Sequence, residues 1–222
     1  MPESGKWEWL KTIWLSAYAG SNPVSRRIFL KKKASPKKKM KSKLKKIKRG
    51  PAIMLQKDIG SILGGTCIDK DSVVLDAGSG CGVLTINLAR FVKKVYSYDN
   101  RKEFLEIAKE NVKKFNLKNV VFKNKDVYEE IKERDLDLIT LDLKEPWKAL
   151  DNCRKALKDK GELVVYSPQI TQVKELIDSL NGFEVVEVKE VNERNWVVDE
   201  RRCRPEHTGL MHTGFLVFLR KI

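Results

Sequence analysis

Three glycines at alternate positions, Gly78, Gly80 and Gly82, lie in the segment Asp76-Ala77-Gly78-Ser79-Gly80-Cys81-Gly82-Val83. Without a Cβ at those positions the backbone can turn tightly and a ligand can come close. The spacing is G-x-G-x-G. A dinucleotide fingerprint needs G-x-G-x-x-G, and position 83 is valine. Seventeen residues after the last glycine stands Asp99, followed by Asn100. A carboxylate there can accept two hydrogen bonds from a ribose 2′,3′-diol, and charge-assisted bonds are the strong kind. Its other reading is a cap for the helix beginning at Asn100-Arg101. Asp126 is placed to accept from an adenine amino group, with the Val127 N–H beside it, or it is a turn residue. Asp142 either serves a reacting base or is a plain strand-end acid. The expected nucleoside-binding set is Asp76, Gly78, Ser79, Gly80, Cys81, Gly82, Val83, Asp99, Asn100, Asp126, Val127 and Asp142.

These residues need a frame, and the hydropathy pattern supplies one. Residues 53–63 read as a short amphipathic helix, 72–77 as a strand, 83–91 as a helix and 95–99 as a strand. Residues 101–115 carry Phe104, Leu105, Ala108, Val112 and Phe115 on one helical stripe. Strands follow at 120–122 and 136–142, a helix at 147–157, a strand at 161–166 and a helix at 169–180. Two strands close the chain, at 183–191 and 212–220. Such alternation predicts an α/β fold: a doubly wound, mostly parallel seven-stranded sheet covered on both faces. No helix-length pattern separates the last two strands, so the final one is expected to run antiparallel. Every acid named above then falls at a strand's carboxyl end, where such sheets bind ligands.

The composition excludes several classes. Mean hydropathy is −0.43, and no run approaches the ~18 apolar residues of a membrane-spanning helix. Cys67, Cys81, Cys153 and Cys203 are scattered without a C-x-x-C pair. We therefore expect no metal site and no disulfide framework, but reduced thiols in a cytoplasmic protein. The net charge of +15 is uneven: residues 1–50 hold sixteen Lys and Arg against Glu3 and Glu8, a net +14.

Further motifs point to a family. Leu141-Asp142-Leu143-Lys144-Glu145-Pro146-Trp147 resembles the fourth motif of the tRNA adenine-N1 methyltransferases. Tyr166-Ser167-Pro168-Gln169-Ile170-Thr171-Gln172 resembles that family's post-strand segment. Arg204-Pro205 with His212-Thr213-Gly214-Phe215-Leu216 resembles its C-terminal signature, and Lys57-Asp58 its pair before the first strand. The glycine turn, Asp99 and Asp126 are similar to class I methyltransferase contacts with S-adenosylmethionine. The resemblance runs from about residue 49 to the C-terminus. It implies methyl transfer from S-adenosylmethionine to N1 of adenine 58, and in archaeal relatives 57, of the tRNA T-loop, by a homotetramer. Two departures stand out. No counterpart of the small β-rich N-terminal domain usual in that family is expected from the residues before 49, and Gln56 and Ala52 stand where proline and glutamine are common.

Adenine N1 carries an in-plane lone pair and no proton, so methylation there needs no strong base. It leaves the purine cationic, and Asp142 accepting from the N6 amino group would stabilise that charge. Trp147 and Tyr166 can stack on the extruded base or simply pack. Arg204, with Arg194, Arg201 and Arg202 in the ~20-residue connection 192–211, can grip phosphates or stay solvated. His212 can touch substrate; local hydrogen bonds are the favoured reading for it and for His207. Two other functions are weighed. A small-molecule methyltransferase, such as one acting on a precorrin, resembles only residues 65–125. A non-catalytic tRNA-binding subunit is expected to have a degraded glycine motif, and this one is intact.

Residues 1–49 form a basic extension, expected to be disordered alone. Its lysine-rich block either holds a polyanion or is merely solvated. Gly20-Ser21-Asn22-Pro23 back-translates to GGN-TCN-AAY-CCN, the sequence class of a tRNA gene's T-arm. Either this is coincidence, or translation starts at Met40 and residues 1–39 are a mis-assigned start. The methyltransferase domain is expected over 50–222.

Overall fold

The computed structural model describes residues 47–50 and 53–222. The readings of the basic extension before residue 47 lie outside the described residues. The elements run α1 (Gln56–Gly65), β1 (Val73–Ala77), α2 (Val83–Leu88), β2 (Lys94–Asp99), α3 (Lys102–Lys114), β3 (Val120–Asn124) and β4 (Leu136–Asp142). A 3-10 turn (Pro146–Ala149) leads to α4 (Leu150–Ala156), β5 (Leu157–Ser167), α5 (Ile170–Asp178) and β6 (Phe183–Glu190). A short pair, β7 (Trp196–Val198) and β8 (Cys203–Pro205), precedes β9 (Phe215–Lys221).

One seven-stranded sheet has the order β3-β2-β1-β4-β5-β9-β6. Strands β3 to β5 are mutually parallel, and β9 is antiparallel to both its neighbours. Successive side chains on a strand point to opposite faces, so each strand feeds two cores. Leu75, Ile139, Leu163 and Val217 pack with Cys153, Ala156 and Leu176 from α4 and α5. Val74, Leu138, Val164 and Leu216 pack with Ile59 and Ile62 of α1 and Leu84 and Leu88 of α2. Both faces being covered, these strands read as continuous apolar runs. The chain steps outward from β1 to β3 and then returns to the other side of β1 with β4. That reversal opens a crevice at the carboxyl ends of β1 and β4.

Four details differ from the sequence reading. The domain boundary at 49/50 falls inside packed structure: Ile47 is buried in the second core, and the Lys48 N–H and C=O pair with the Asn111 amide at 2.9 and 2.8 Å. The connection 192–211 contains the β7–β8 hairpin, turned by Asp199, whose Oδ1 accepts the Arg201 and Arg202 N–H groups. The last strand starts at Phe215 rather than His212, because His212 and Thr213 are held by partners outside the ladder. The helix expected over 147–157 opens as a 3-10 turn, with Pro146 lacking the N–H that an earlier α-turn would use.

Candidate active site

The turn after β1 is tied to β2. The N–H groups of Gly78 and Ser79 both donate to the Tyr98 carbonyl, at 3.1 and 3.0 Å. Ser79 Oγ donates to the same oxygen at 2.8 Å and accepts from Ser97 Oγ at 2.6 Å. The three glycines have φ of +80°, +51° and +80°. A Cβ on Gly78 would stand 2.2 Å from the Asp142 carbonyl oxygen, and one on Gly82 3.0 Å from the Ala108 Cβ. Gly78 thus allows β1 and β4 to close up, and Gly82 allows α2 to pack on α3. Gly80 differs: a Cβ there would meet nothing nearer than 3.9 Å, so open space lies over it.

The acids around the turn have distinct surroundings. Asp76 is buried, its carboxylate taken by Thr85 Oγ1 and, at 2.9 Å, Thr140 Oγ1. Burial raises its pKa to about 6, against the lowering effect of both hydroxyls. Its side chain braces the turn from within. Asp99 accepts from the Gly80 N–H at 2.9 Å with one oxygen and from the Arg101 N–H at 3.0 Å with the other. A carboxylate has about four acceptor positions, so room remains for a diol. Asp126 accepts from the Tyr128 N–H at 2.9 Å and from Asn100 Nδ2 at 3.1 Å. Asp99 thus holds the N–H of the residue before α3 without capping the helix itself, Asp126 closes a local turn, and both line the crevice.

Asp142, ending β4, makes no hydrogen bond through its carboxylate among the described residues. It is open to water from the crevice, yet ringed by protein atoms. That crowding pushes its pKa up to about 7, helped by Asp76 and Asp99 and opposed by Arg101. A cavity of about 270 Å³ is lined by Gly78, Asp99, Asn100, Asp126, Val127 and Asp142, together with Arg101, Lys125 and Tyr128. A smaller hollow of about 30 Å³, bounded by Met54, Asp76, Gly80, Cys81, Val83 and again Asp142, lies on the other side of the glycine turn. Asp142 and Gly78 are shared by both. Sequence reasoning missed Arg101, Lys125 and Tyr128, although each is within two residues of an acid it singled out.

None of Trp147, Tyr166, Arg204 and His212 lines the larger cavity. Trp147 packs partly against the core and borders a separate groove with Gln169 and Gln172. Tyr166 pairs with Asp142 in the sheet register, but its hydroxyl donates to the Thr213 carbonyl at 2.6 Å. Arg204 reaches the Pro205 carbonyl at 3.1 Å. His212 faces Glu190 Oε1 at 2.5 Å and the Pro168 carbonyl at 2.9 Å, and these acceptors, Pro168 first, raise its pKa. Among the described residues no group of three or more His, Cys, Asp or Glu side chains could hold a metal ion, and no helix is long and apolar enough to cross a membrane.

The raised pKa values of Asp76 and Asp142 have a signed consequence. Both lie above the ordinary 3.8, so the folded state binds protons more tightly than the unfolded chain. The resulting destabilisation is absent below pH 3.8, grows between there and about 6 or 7, and is complete above. Asp142→Asn is therefore expected to melt higher than the parent above pH 7 and equally at pH 3.8. Calorimetric scans across that range check it; a gain confined to acid pH would contradict the assignment.

A parallel sheet with one antiparallel strand, a glycine turn after β1 and an acid ending β2 defines the class I methyltransferase fold. Residues 46–214 match the family described as tRNA methyltransferase complex GCD14 subunit, and the chain belongs to that family. It is 34% identical over 209 residues to the tRNA (adenine(57)-N(1)/adenine(58)-N(1))-methyltransferase TrmI of Methanocaldococcus jannaschii, covering 80% of this chain and 74% of the relative. The tRNA (adenine(58)-N(1))-methyltransferase TrmI of Thermus thermophilus is 42% identical, over 67% of this chain and 61% of its own length. Among solved structures, the tRNA methyltransferase TrmI of Aquifex aeolicus superposes with a TM-score of 0.75 at 31% identity, covering 81% of this chain and 74% of that one. The sequence match to a probable cobalt-precorrin-6B C(15)-methyltransferase of M. jannaschii covers 57 residues, 26% of this chain.

Proposed function

We propose that this protein transfers the methyl group of S-adenosylmethionine to N1 of adenine in the tRNA T-loop, at position 58 and, as in the archaeal relative, 57. The observation that carries the reading is Asp142: an acid without a hydrogen-bond partner among the described residues, on the boundary of both hollows. Family membership across 46–214 supports it, since the match includes the motifs beyond the cofactor half.

The residues present fit the cofactor. Open space over Gly80 and the carboxylates of Asp99 and Asp142 suit a cationic nucleoside better than an anionic dinucleotide. Asp99, oriented by Gly80 and Arg101, would hold the ribose diol. Asp126 and the Val127 N–H would receive the adenine edge. When bound, S-adenosylmethionine supplies a methyl group on a sulfonium, an electrophile needing no metal. Asp142 accepts from the N6 amino group of the target base and stabilises the positive charge that spreads over the purine as N1 is methylated. Its carboxylate must be ionised to offset the developing positive charge, so kcat/KM is expected to climb with pH until about 7 and level off. Two pH units below the inflection, the loss is roughly 100-fold. The rest of the acceleration comes from alignment, for which well-oriented reactants gain about 7–11 kcal/mol.

A homo-oligomer working in the cytoplasm belongs to the same proposal. It is supported by the resemblance and by exposed Val185, Val186 and Val188 on the edge strand β6. The deciding experiment incubates full-length protein with labelled S-adenosylmethionine and unmodified tRNA, then maps the product by mass spectrometry. We expect 1-methyladenosine in the T-loop. Label on another base, on a hydroxyl or nowhere in the tRNA overturns the reading.

A further inference from the structure

Lys57 and Thr213 are 156 positions apart, yet one buried cluster joins them. Lys57 Nζ donates to Asp58 Oδ1 at 2.9 Å, to the Val191 carbonyl at 2.5 Å and to Thr213 Oγ1 at 2.5 Å. Thr213 Oγ1 in turn donates to Asp58 Oδ2 at 2.9 Å. The side chains of Lys57 and Asp58 are 6% and 0% exposed. Val191 is the last residue before the 192–211 excursion, and Thr213 lies two residues beyond it. A single ammonium therefore grips both chain ends of that excursion. The Thr213 carbonyl is held separately by the Tyr166 hydroxyl, and Gly214 passes so close that a Cβ would stand 2.6 Å from the Tyr166 ring.

The neck lies on the crevice side of the sheet. Asp142 pairs with Tyr166, Tyr166 with Leu216 and Leu216 with Lys189, so one row of residues crosses β4, β5, β9 and β6. At ~4.8 Å per strand, Leu216 lies about 10 Å from Asp142. Beyond the neck, the excursion folds on itself through β7 and β8, with the Glu206 N–H on the Asn195 carbonyl at 2.8 Å. Arg202 is paired with Asp199, whereas the guanidinium groups of Arg194 and Arg201 have no partner among the described residues. A buried ion pair is weak evidence for stability alone, because desolvation offsets its attraction; fixing one conformation is the better-attested use of such groups.

We propose that Lys57, Asp58 and Thr213 are positioning residues for RNA capture. They clamp the neck of the 192–211 arm, so that Arg194 and Arg201 meet the phosphates of the RNA whose base is presented to Asp142. The three residues touch neither reacting atom. This inference rests on the tRNA methyltransferase reading above.

The test is a mutant cycle on full-length protein. Thr213→Val removes the shared hydroxyl while leaving the direct Lys57–Asp58 pair. Arg194→Ala/Arg201→Ala removes the arm's unpaired charges at exposed positions. The readouts are the calorimetric Kd for S-adenosylmethionine and KM and kcat with tRNA. We expect each variant to raise the tRNA KM roughly tenfold with cofactor Kd and kcat little changed, the arginine pair also flattening the salt dependence of binding. Thr213→Val added to the arginine variant should cost little more, because the clamp acts through the arm. Thr213→Ser should restore the parental KM. Unchanged KM in the arginine variant overturns the proposal, whether or not Thr213→Val folds. So does loss of cofactor affinity in parallel with KM, which marks a merely structural role, or full additivity of the two changes. If the parent protein methylates no tRNA, the functional reading falls first. If it does and the variants match it, only the clamp falls.

Discussion

Asp142→Ala is expected to lower kcat for methyl transfer roughly 10²–10³-fold, the size of loss seen when one preorganised group facing a developing charge is removed. The cofactor Kd should change little by comparison, because Asp99, Asp126 and the glycine turn remain. Asp76, Asp99 and Asp126 are each already oriented by hydroxyls, N–H groups or an amide. Asp142 alone among these four has no hydrogen-bond partner on its carboxylate among the described residues. Asp142→Asn is the sharper companion. It keeps shape and loses charge, so it should be nearly as slow as the alanine variant and lack the inflection near pH 7. Single-turnover rates across pH 5–9, beside titration calorimetry, separate chemistry from binding. A variant with parental kcat would remove Asp142 from the mechanism.

The second large effect is expected at Gly78. An alanine there places its Cβ 2.2 Å from the Asp142 carbonyl oxygen at a φ of +80°. The obstacle is backbone, which cannot swing aside as a side-chain end can, so β1 and β4 must part. Holding a non-glycine residue in such a conformation costs of order 1–3 kcal/mol before the clash is counted. We expect a lower melting temperature and at least ~100-fold weaker cofactor binding, since the shift moves Asp142 and the turn together. Gly80→Ala is the control. Its φ of +51° is also left-handed and strains an alanine, but its Cβ meets nothing closer than 3.9 Å. It should lose stability only by that backbone strain, less than Gly78→Ala, and lose cofactor affinity by filling space over the turn. Thermal melts and calorimetry on both variants decide; equal stability losses would show that the close approach of β1 and β4 is not what Gly78 provides.

Much of this site is local in origin, and local features are legible along the chain. The glycines follow an apolar run and open a helix. Asp99, Asp126 and Asp142 stand at or just past the ends of such runs, and strand-end placement puts them on one edge of a parallel sheet whatever the details of packing. Asp76 shows where that reasoning stops. It is one residue of the same motif, but its carboxylate turns inward to Thr85 and Thr140, and Thr140 comes from a strand 64 positions away.

From sequence alone came the element order, the antiparallel last strand, the glycine turn and the strand-end acids, because each follows from periodicity or from a residue type at a fixed local offset. Only the tertiary structure could decide which acid is left without a protein partner, that Tyr166 binds Thr213, that residues 196–205 fold back as a hairpin and that Lys57 grips both ends of that arm. Those outcomes depend on groups 47 to 156 positions apart meeting in space. Hydrogen-bond geometry between such groups leaves no periodic trace in a chain: the same lysine, threonine or tyrosine would read identically on a solvated surface.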